Sequence, residues 1–414
     1  MSRCDEPLAA SCAASDMAAG LVPRRMPAGT GQSGAASHAL FAQLRTAAET
    51  LRSTGVDTPQ VDVKLLMACA YGVEPRDIDK AMLLGRELPE DAKAASRFEA
   101  LLARRAAREP LQYITGHAPF RFLDLAVGPG VFIPRPETES VVQAALDWLR
   151  GQGIAQPRVV DLCAGSGAIG LSIATELPES QVWAVERSPQ ALVWTRRNRD
   201  AVLGDAGLSD AVLGDATLTT LAPGGATVAR VAPGDAASGD AMPNDAPDDT
   251  VPGAGATGAA VLKGAEPTAL VPGDAASDDS NVADAPSSAR NQRYHLIQGD
   301  ATETTTLTEL DGTIDAVVTN PPYVPLSQIP EQPEVREHDP DMALYGGSDD
   351  GLTIPYAILA RSAALLRSGA LLVMEHDISQ GQPLVERALC SGFEAARTGN
   401  DLTGRPRYLF AIRG

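Results

Sequence analysis

Apolar residues in the first part of the chain recur at steps of three and four. Leu40, Leu44, Ala47, Ala48 and Leu51 share one stripe, which predicts a helix from about His38 that Ser53-Thr54-Gly55 ends. Further helices are predicted over Gln60–Tyr71 and near Arg76–Leu84 and Glu90–Arg108. Between Pro110 and Pro136 the texture changes to Phe/Val/Leu alternation around Gly128-Pro129-Gly130, suggesting a β-hairpin connector. Two prolines fix the loop Ile133–Glu139. Pro136 with Glu137 and Glu139 suits the first turn of a helix that continues over Val141–Leu149.

From there short apolar runs alternate with helical stretches. Strands are expected at Val159–Leu162, Gln181–Val185, Tyr294–Gln298, Asp315–Thr319, Ala370–Glu375, Phe393–Arg397 and Arg407–Ile412. Helices are expected at Ile169–Glu176, Gln190–Arg199, Leu352–Leu366 and Gln380–Ser391. A strand, a glycine loop, a helix, a second strand and an acid in that order describe the nucleotide-binding half of a doubly wound α/β sheet.

Two stretches lack any period. Residues 1–36 are rich in Ala, Ser, Gly and Pro and read as a disordered tail, with Met26 a candidate true start. Residues 201–290 hold no aromatic residue, and Pro233-Gly234-Asp235-Ala236-Ala237-Ser238 recurs as Pro272-Gly273-Asp274-Ala275-Ala276-Ser277. Such a segment cannot bury enough apolar surface to offset its ordering entropy, so a disordered acidic insertion is expected. Loop closure costs little more as a loop lengthens, so the sheet tolerates it. The resulting organisation is a tail (1–36), a helical domain (37–109), a hairpin linker (110–136) and an α/β domain (137–414) interrupted at 201–290.

Charge sharpens this picture. Of the formal charge of −19, residues 201–290 carry −10, from 13 Asp/Glu against 3 Lys/Arg. An acidic chain without Lys/Arg clusters is a poor binder of a bare nucleic-acid backbone. The five cysteines (Cys4, Cys12, Cys69, Cys163, Cys390) are scattered and form no CxxC pair, which indicates neither a disulfide framework nor a zinc site. No apolar run approaches a membrane span and no signal-peptide core is present, so a cytoplasmic protein without a metal is expected.

Candidate chemistry gathers at strand ends. The first α/β strand runs into Asp161-x-Cys163-Ala164-Gly165-Ser166-Gly167, whose small residues let a ligand approach the backbone closely. Glu186 ends the next strand, about 20 residues past the glycines, where an acid accepts from ribose hydroxyls. The spacing is not GxGxxG, and no Lys-Ser/Thr pair stands ready for phosphate. This favours an adenosyl ligand without a pyrophosphate, S-adenosylmethionine, over NAD(P). Asp300, after Gly299, suits either an acceptor for the adenine amino group or a helix N-cap. The strand Ile314–Val318 runs into Thr319-Asn320-Pro321-Pro322-Tyr323. The prolines stop the strand and leave carbonyls without ladder partners. An amide, free carbonyls and an aromatic ring at one strand end suit a planar NH2-bearing substrate; the plain alternative is a Pro-Pro turn with a packed Tyr. Arg135, Glu137 and Glu139 read equally as the mouth of the site or as a helix start with a local ion pair. His338 and His376 read as surface or loop residues, and Glu375 as a buried, paired carboxylate.

Together, Asp161–Gly167, Glu186 and Asn320–Tyr323 resemble a class I S-adenosylmethionine-dependent methyltransferase acting on a planar NH2 group. Glu109–Gly116, Ile133–Glu139, Glu337-His338-Asp339-Pro340, Ala343–Gly347, Asp350-Gly351-Leu352 and the strand ending in Glu375 are similar to signatures of the HemK/PrmC family, the release factor glutamine N5-methyltransferases. The resemblance covers about residues 38–200 and 291–414. It implies a Rossmann-like seven-stranded domain preceded by a small helical domain and a β-hairpin linker. It implies that Asp161, Cys163, Ala164, Gly165, Ser166, Gly167, Glu186, Asp300, Ala301 and Asn320 line the cofactor, and that Asn320, Pro321, Pro322 and Tyr323 hold a glutamine amide of a class 1 release factor. A monomer without direct nucleic-acid binding is expected. The chain departs from the family in Cys163, where Gly is usual, in Ala301, where some members carry an aromatic residue, and in its tail and insertion. A ribosomal-protein glutamine, an adenine N6 of nucleic acid and a non-catalytic S-adenosylmethionine-binding adaptor are the other readings.

Overall fold

The computed structural model describes residues 35–89, 91–204 and 293–414. The expected tail and insertion lie outside the described residues except at their edges. Residues 35–36 already belong to the first helix, and residues 201–203 still belong to the helix before the insertion.

Four helices open the fold: α1 (Ala35–Ser53), α2 (Pro59–Tyr71), α3 (Pro75–Leu84) and α4 (Ala92–Ala106). Pro59 and Pro75 start α2 and α3, where a missing N–H costs nothing, and Gly72 and Gly85 end them in the left-handed conformation. Asp91 caps α4 by accepting from the backbone of Lys93 and Ala94. The predicted stripe faces inward: Leu51, Leu66, Met67, Ile78 and Phe98 are fully buried together.

The connector differs from the pattern reading. It begins with a short helix, α5 (Leu111–Thr115), and only then forms the antiparallel pair β1 (His117–Phe120) and β2 (Leu123–Ala126). Gly128-Pro129-Gly130 follows the hairpin; the turn itself is at Arg121, which adopts φ 52°. A five-residue helix is too short to show a period.

The α/β part comprises α6 (Thr138–Gln152), β3 (Arg158–Asp161), α7 (Ala168–Glu176), β4 (Gln181–Glu186), α8 (Pro189–Leu203), β5 (Tyr294–Gln298), β6 (Ile314–Thr319), α9 (Pro333–His338), α10 (Asp341–Leu344), α11 (Thr353–Leu365), β7 (Leu366–Glu375), α12 (Gly381–Cys390), β8 (Phe393–Asn400) and β9 (Pro406–Arg413). Its seven strands lie in the order β5-β4-β3-β6-β7-β9-β8. β3 to β7 are parallel, and β9 runs antiparallel between β7 and β8. Alternation along the strands splits the core into two layers. Val159, Ala184, Ala316 and Val318 pack with Val142, Leu146 and Leu171 from α6 and α7. Val160, Val185, Val317 and Leu372 pack with Ile358, Leu359 and Leu384 from α11 and α12. Burial on both faces explains the apolar runs Ala316–Val318 in β6 and Ala370–Met374 in β7. Chain order reverses between β3 and β6, so their C-terminal ends flank the crevice where a sheet of this kind takes ligands. Among the described residues no helix is long and apolar enough to cross a membrane.

Candidate active site

Two loops meet at that crevice. After β3, Ala164 donates its N–H to Val185 O (3.0 Å), and Gly165 and Gly167 take φ of 56° and 87°. A Cβ on Gly167 would meet Leu171 at 2.9 Å, whereas one on Gly165 would meet none of the described residues within 4 Å. Gly165 therefore presents bare backbone to open space. Its carbonyl accepts from Thr195 Oγ1 (2.6 Å), and Ser166 O accepts from Asn198 Nδ2 (2.8 Å), so two side chains of α8 hold the loop from behind. Sequence reading missed both; they sit one helical turn apart in a helix read only as a member of the α/β alternation.

Asp161 lies beneath the loop. It is fully buried, and its carboxylate accepts from the N–H of Gly170 (3.0 Å) and, more weakly, of Cys163 (3.4 Å). Burial raises its pKa to about 7 despite those bonds. It shapes the loop from below. Glu186 reaches the loop from the side: one oxygen accepts from Gly165 N–H (2.8 Å), the other from Ser188 N–H (2.7 Å). Burial raises its pKa, and the backbone donors oppose that rise. Each oxygen keeps a lone pair for a further donor. Cys163 is partly exposed, and burial pushes its thiol above the ordinary range. Ala164 and Ser166 are buried within the loop.

Asp300 follows β5. Its Oδ1 accepts from the N–H (2.9 Å) and hydroxyl (2.6 Å) of Thr302, and Arg187 lies 3.3 Å from Oδ2. No helix starts there, so the cap closes a turn. Burial opposes ionisation, but Thr302 and Arg187 outweigh it and hold the carboxyl below its usual value. Ala301 is buried against Val160, Leu162 and Val185.

The second loop follows β6. The Nδ2 of Asn320 donates to Thr138 Oγ1 (3.2 Å), at the first residue of α6. Thr138 donates onward to Glu375 Oε2 (2.6 Å), and the Tyr323 hydroxyl donates to Glu375 Oε1 (3.0 Å). Among the described residues no donor reaches Asn320 Oδ1, and no backbone N–H reaches Pro321 O. Pro321 is buried and Pro322 partly so. Burial raises the pKa of Glu375, which is 1% exposed, and that of Tyr323. Glu375 is thus a buried, paired carboxylate as expected. His376 is not at the surface: it is fully buried, with Nδ1 on Asp377 O (2.7 Å) and, among the described residues, no partner for Nε2. It directly follows β7, between the sheet and α12, where its backbone also bonds Arg407 O.

Behind Tyr323 the chain is braced. Gln380 Nε2 donates to Tyr323 O and Asp350 O (both 2.8 Å). Arg135 pairs with Asp339 (2.5 Å), so the loop Ile133–Glu139 grips the segment after the site; Glu139 instead accepts from Arg121 N–H (3.1 Å). Arg105 and Arg108 both hold Glu334 on α9 at 2.7 Å, and Arg105 also holds buried Asp62 at 2.7 Å. This bridges the helical part to the segment beyond Tyr323.

Residues 42–116 match the family model described as the PrmC N-terminal domain, and residues 112–222 match the one described as Conserved hypothetical protein 95. The chain is 48% identical over 369 residues to a release factor glutamine methyltransferase of Bifidobacterium longum, covering 89% of this chain and 98% of that one. It is 34% identical over 378 residues to a protein of the same name from Streptomyces coelicolor, covering 90% and 97%. A 4-amino-L-phenylalanine/4-methylamino-L-phenylalanine methyltransferase of Streptomyces pristinaespiralis is 30% identical, covering 84% and 86%.

Proposed function

The chain belongs to the HemK/PrmC family of release factor glutamine methyltransferases, and from that premise we propose that it methylates the side-chain N5 of the glutamine in the Gly-Gly-Gln loop of class 1 release factors. The observation that carries this reading is the polarity of the second loop. Among the described residues Asn320 Oδ1 and Pro321 O are two unclaimed acceptors at one strand end, next to the glycine loop. A primary amide has two hydrogens for two such acceptors.

The first loop fits an adenosyl methyl donor. Bare backbone at Gly165, the remaining lone pairs of Glu186 and the carboxylate of Asp300 form a set suited to a ribose and an adenine. S-adenosylmethionine supplies an electrophilic methyl group when bound. Asp161, Ala164, Ser166 and Gly167 hold the loop; Cys163 and Ala301 line its approaches.

An amide nitrogen is a poor nucleophile because its lone pair is delocalised. Asn320 Oδ1 and Pro321 O accept its two hydrogens, which fixes the amide plane and returns electron density to nitrogen. Tyr323 packs its ring on that plane while its hydroxyl stays tied to Glu375. Holding such a near-attack geometry can supply about 7–11 kcal/mol of a barrier. Glu375 is engaged by Thr138 and Tyr323, so the proton leaves to solvent. The helical domain (37–109) docks the release factor, and the linker (110–136) sets it against the α/β domain (137–414). The protein acts as a cytoplasmic monomer without contacting nucleic acid directly.

Incubation with labelled S-adenosylmethionine and, separately, purified release factor, ribosomes, DNA or 4-amino-L-phenylalanine tests the reading. Label in the release factor alone is expected; label in another substrate with none in the release factor contradicts it. Glu186→Ala is expected to weaken S-adenosylmethionine binding by about 10- to 100-fold, the equivalent of one or two charged hydrogen bonds. Glu186→Gln does the same, because its NH2 would face a backbone N–H at Gly165 or Ser188. Unchanged affinity by calorimetry refutes the ribose assignment.

A further inference from the structure

A side-chain amide has two ends of nearly equal size and opposite polarity. The proposed grip on a glutamine NH2 works only if Asn320 shows its oxygen to the substrate; turned over, it would set NH2 against NH2. We infer that Thr138 and Glu375 are positioning residues that decide which end of the Asn320 amide faces the substrate. This rests on the reading of Asn320 as the amide acceptor.

A hydroxyl has one hydrogen to give. Thr138 lies 2.6 Å from Glu375 Oε2 and 3.2 Å from the Asn320 amide, and it is buried away from water. Ionised Glu375, the form that its two hydroxyl donors and the charge of Arg407 favour against burial, can only accept, so the single Thr138 hydrogen goes to it. Thr138 Oγ1 can then only accept from Asn320, and the one end of an Asn able to donate is its NH2. The oxygen is left pointing to the crevice. Tyr323 takes the other oxygen of Glu375, which stops that carboxylate from turning away.

The arrangement is built by topology. Thr319 is level with Met374 across β6 and β7, so Asn320 and Glu375 are the next residues along each strand. The first turn of α6 sets Thr138 over both. Arg407, from β9, and Glu137, preceding α6, are the other charges that face Glu375. Arg407 opposes the burial cost of the carboxylate.

The test uses the full-length protein with purified release factor. Thr138→Val keeps the shape and removes the acceptor; kcat is expected to fall by about 100-fold, the scale of a small misplacement at a reacting group. The KM for release factor and the affinity for S-adenosylmethionine are expected to stay near wild type. Thr138→Ser restores turnover. Glu375→Gln leaves one acceptor oxygen for two hydroxyl donors, so the Thr138 hydrogen is no longer committed away from Asn320; it lowers kcat in the direction of Thr138→Val and carries the test if Thr138→Val does not fold. A second readout needs no turnover. In isotope-labelled protein, the Asn320 side-chain NH2 hydrogens exchange slowly in wild type and in Thr138→Ser, and quickly in Thr138→Val. Wild-type kcat in both Thr138→Val and Glu375→Gln, or unchanged NH2 protection in Thr138→Val, overturns the inference. Absence of label in the release factor with wild-type protein would count against the substrate reading, while the exchange pattern would still decide the orientation of Asn320.

Discussion

Asn320→Ala is expected to reduce methylation of the release factor by about a thousandfold or more, the upper range for removing one preorganised polar group from a reacting centre. S-adenosylmethionine binding is expected to persist. The two effects separate because the residue's contacts separate. Asn320 bonds Thr138 and offers Oδ1 to the crevice, whereas the glycine loop is held by Thr195, Asn198 and Glu186. Removing Oδ1 leaves one amide hydrogen of the substrate without an acceptor and lets the amide rotate about its contact with Pro321. A nitrogen free to rotate loses both orientation and the density returned to it. Single-turnover rates with saturating methyl donor, set beside calorimetry, check this. Turnover equal to wild type would remove Asn320 from the mechanism.

The second large effect lies outside the loop itself. Gly351→Ala is expected to lower stability by about 2–3 kcal/mol and turnover by about 100-fold, although residue 351 carries no chemistry. Gly351 takes φ 71°, which a side chain resists, and its Cβ would lie 2.1 Å from Tyr323 O and 2.9 Å from Pro325 N. Both obstacles are main-chain atoms that no rotamer change can clear. The backbone from Tyr323 to Pro325 must retreat, and with it the Gln380 bond to Tyr323 O. Asn320 and Pro321 are only a few residues upstream, so a shift of this size reaches the acceptors. Thermal melts with steady-state kinetics read both losses. A Gly351→Ala variant that is less stable but turns over normally would mean that the second loop does not depend on this brace.

Much of this was legible in the chain because its signals are local. β6 is buried throughout, with Ala316–Val318 an apolar run, since both faces of the sheet are covered, and Pro321-Pro322 mark its end without ambiguity. Gly165, Gly167 and Glu186 are spaced by one strand-helix-strand unit, so their meeting follows from topology. What stayed hidden depends on residues far apart in sequence. Thr138 and Glu375 are 237 positions apart, and Arg108 and Glu334 are 226 apart; no period connects either pair. Thr138 was only one residue of the loop Ile133–Glu139, and Glu375 read as a paired carboxylate with no named partner. His376 read as a loop residue because histidine is often exposed, yet its place after β7 puts it inside. The helix α5 was masked by the alternation that follows it.

The most direct measurement is the position of the added methyl group. Wild-type protein, S-adenosylmethionine and purified release factor are incubated, and the release factor is digested and analysed by fragment-ion mass spectrometry. The mass of one methyl group on the glutamine of the Gly-Gly-Gln peptide, absent when Asn320→Ala replaces the wild type, is the predicted result. A methyl group on any other residue, or equal methylation by Asn320→Ala, would contradict the assignment of the loop after β6 as a glutamine-amide clamp.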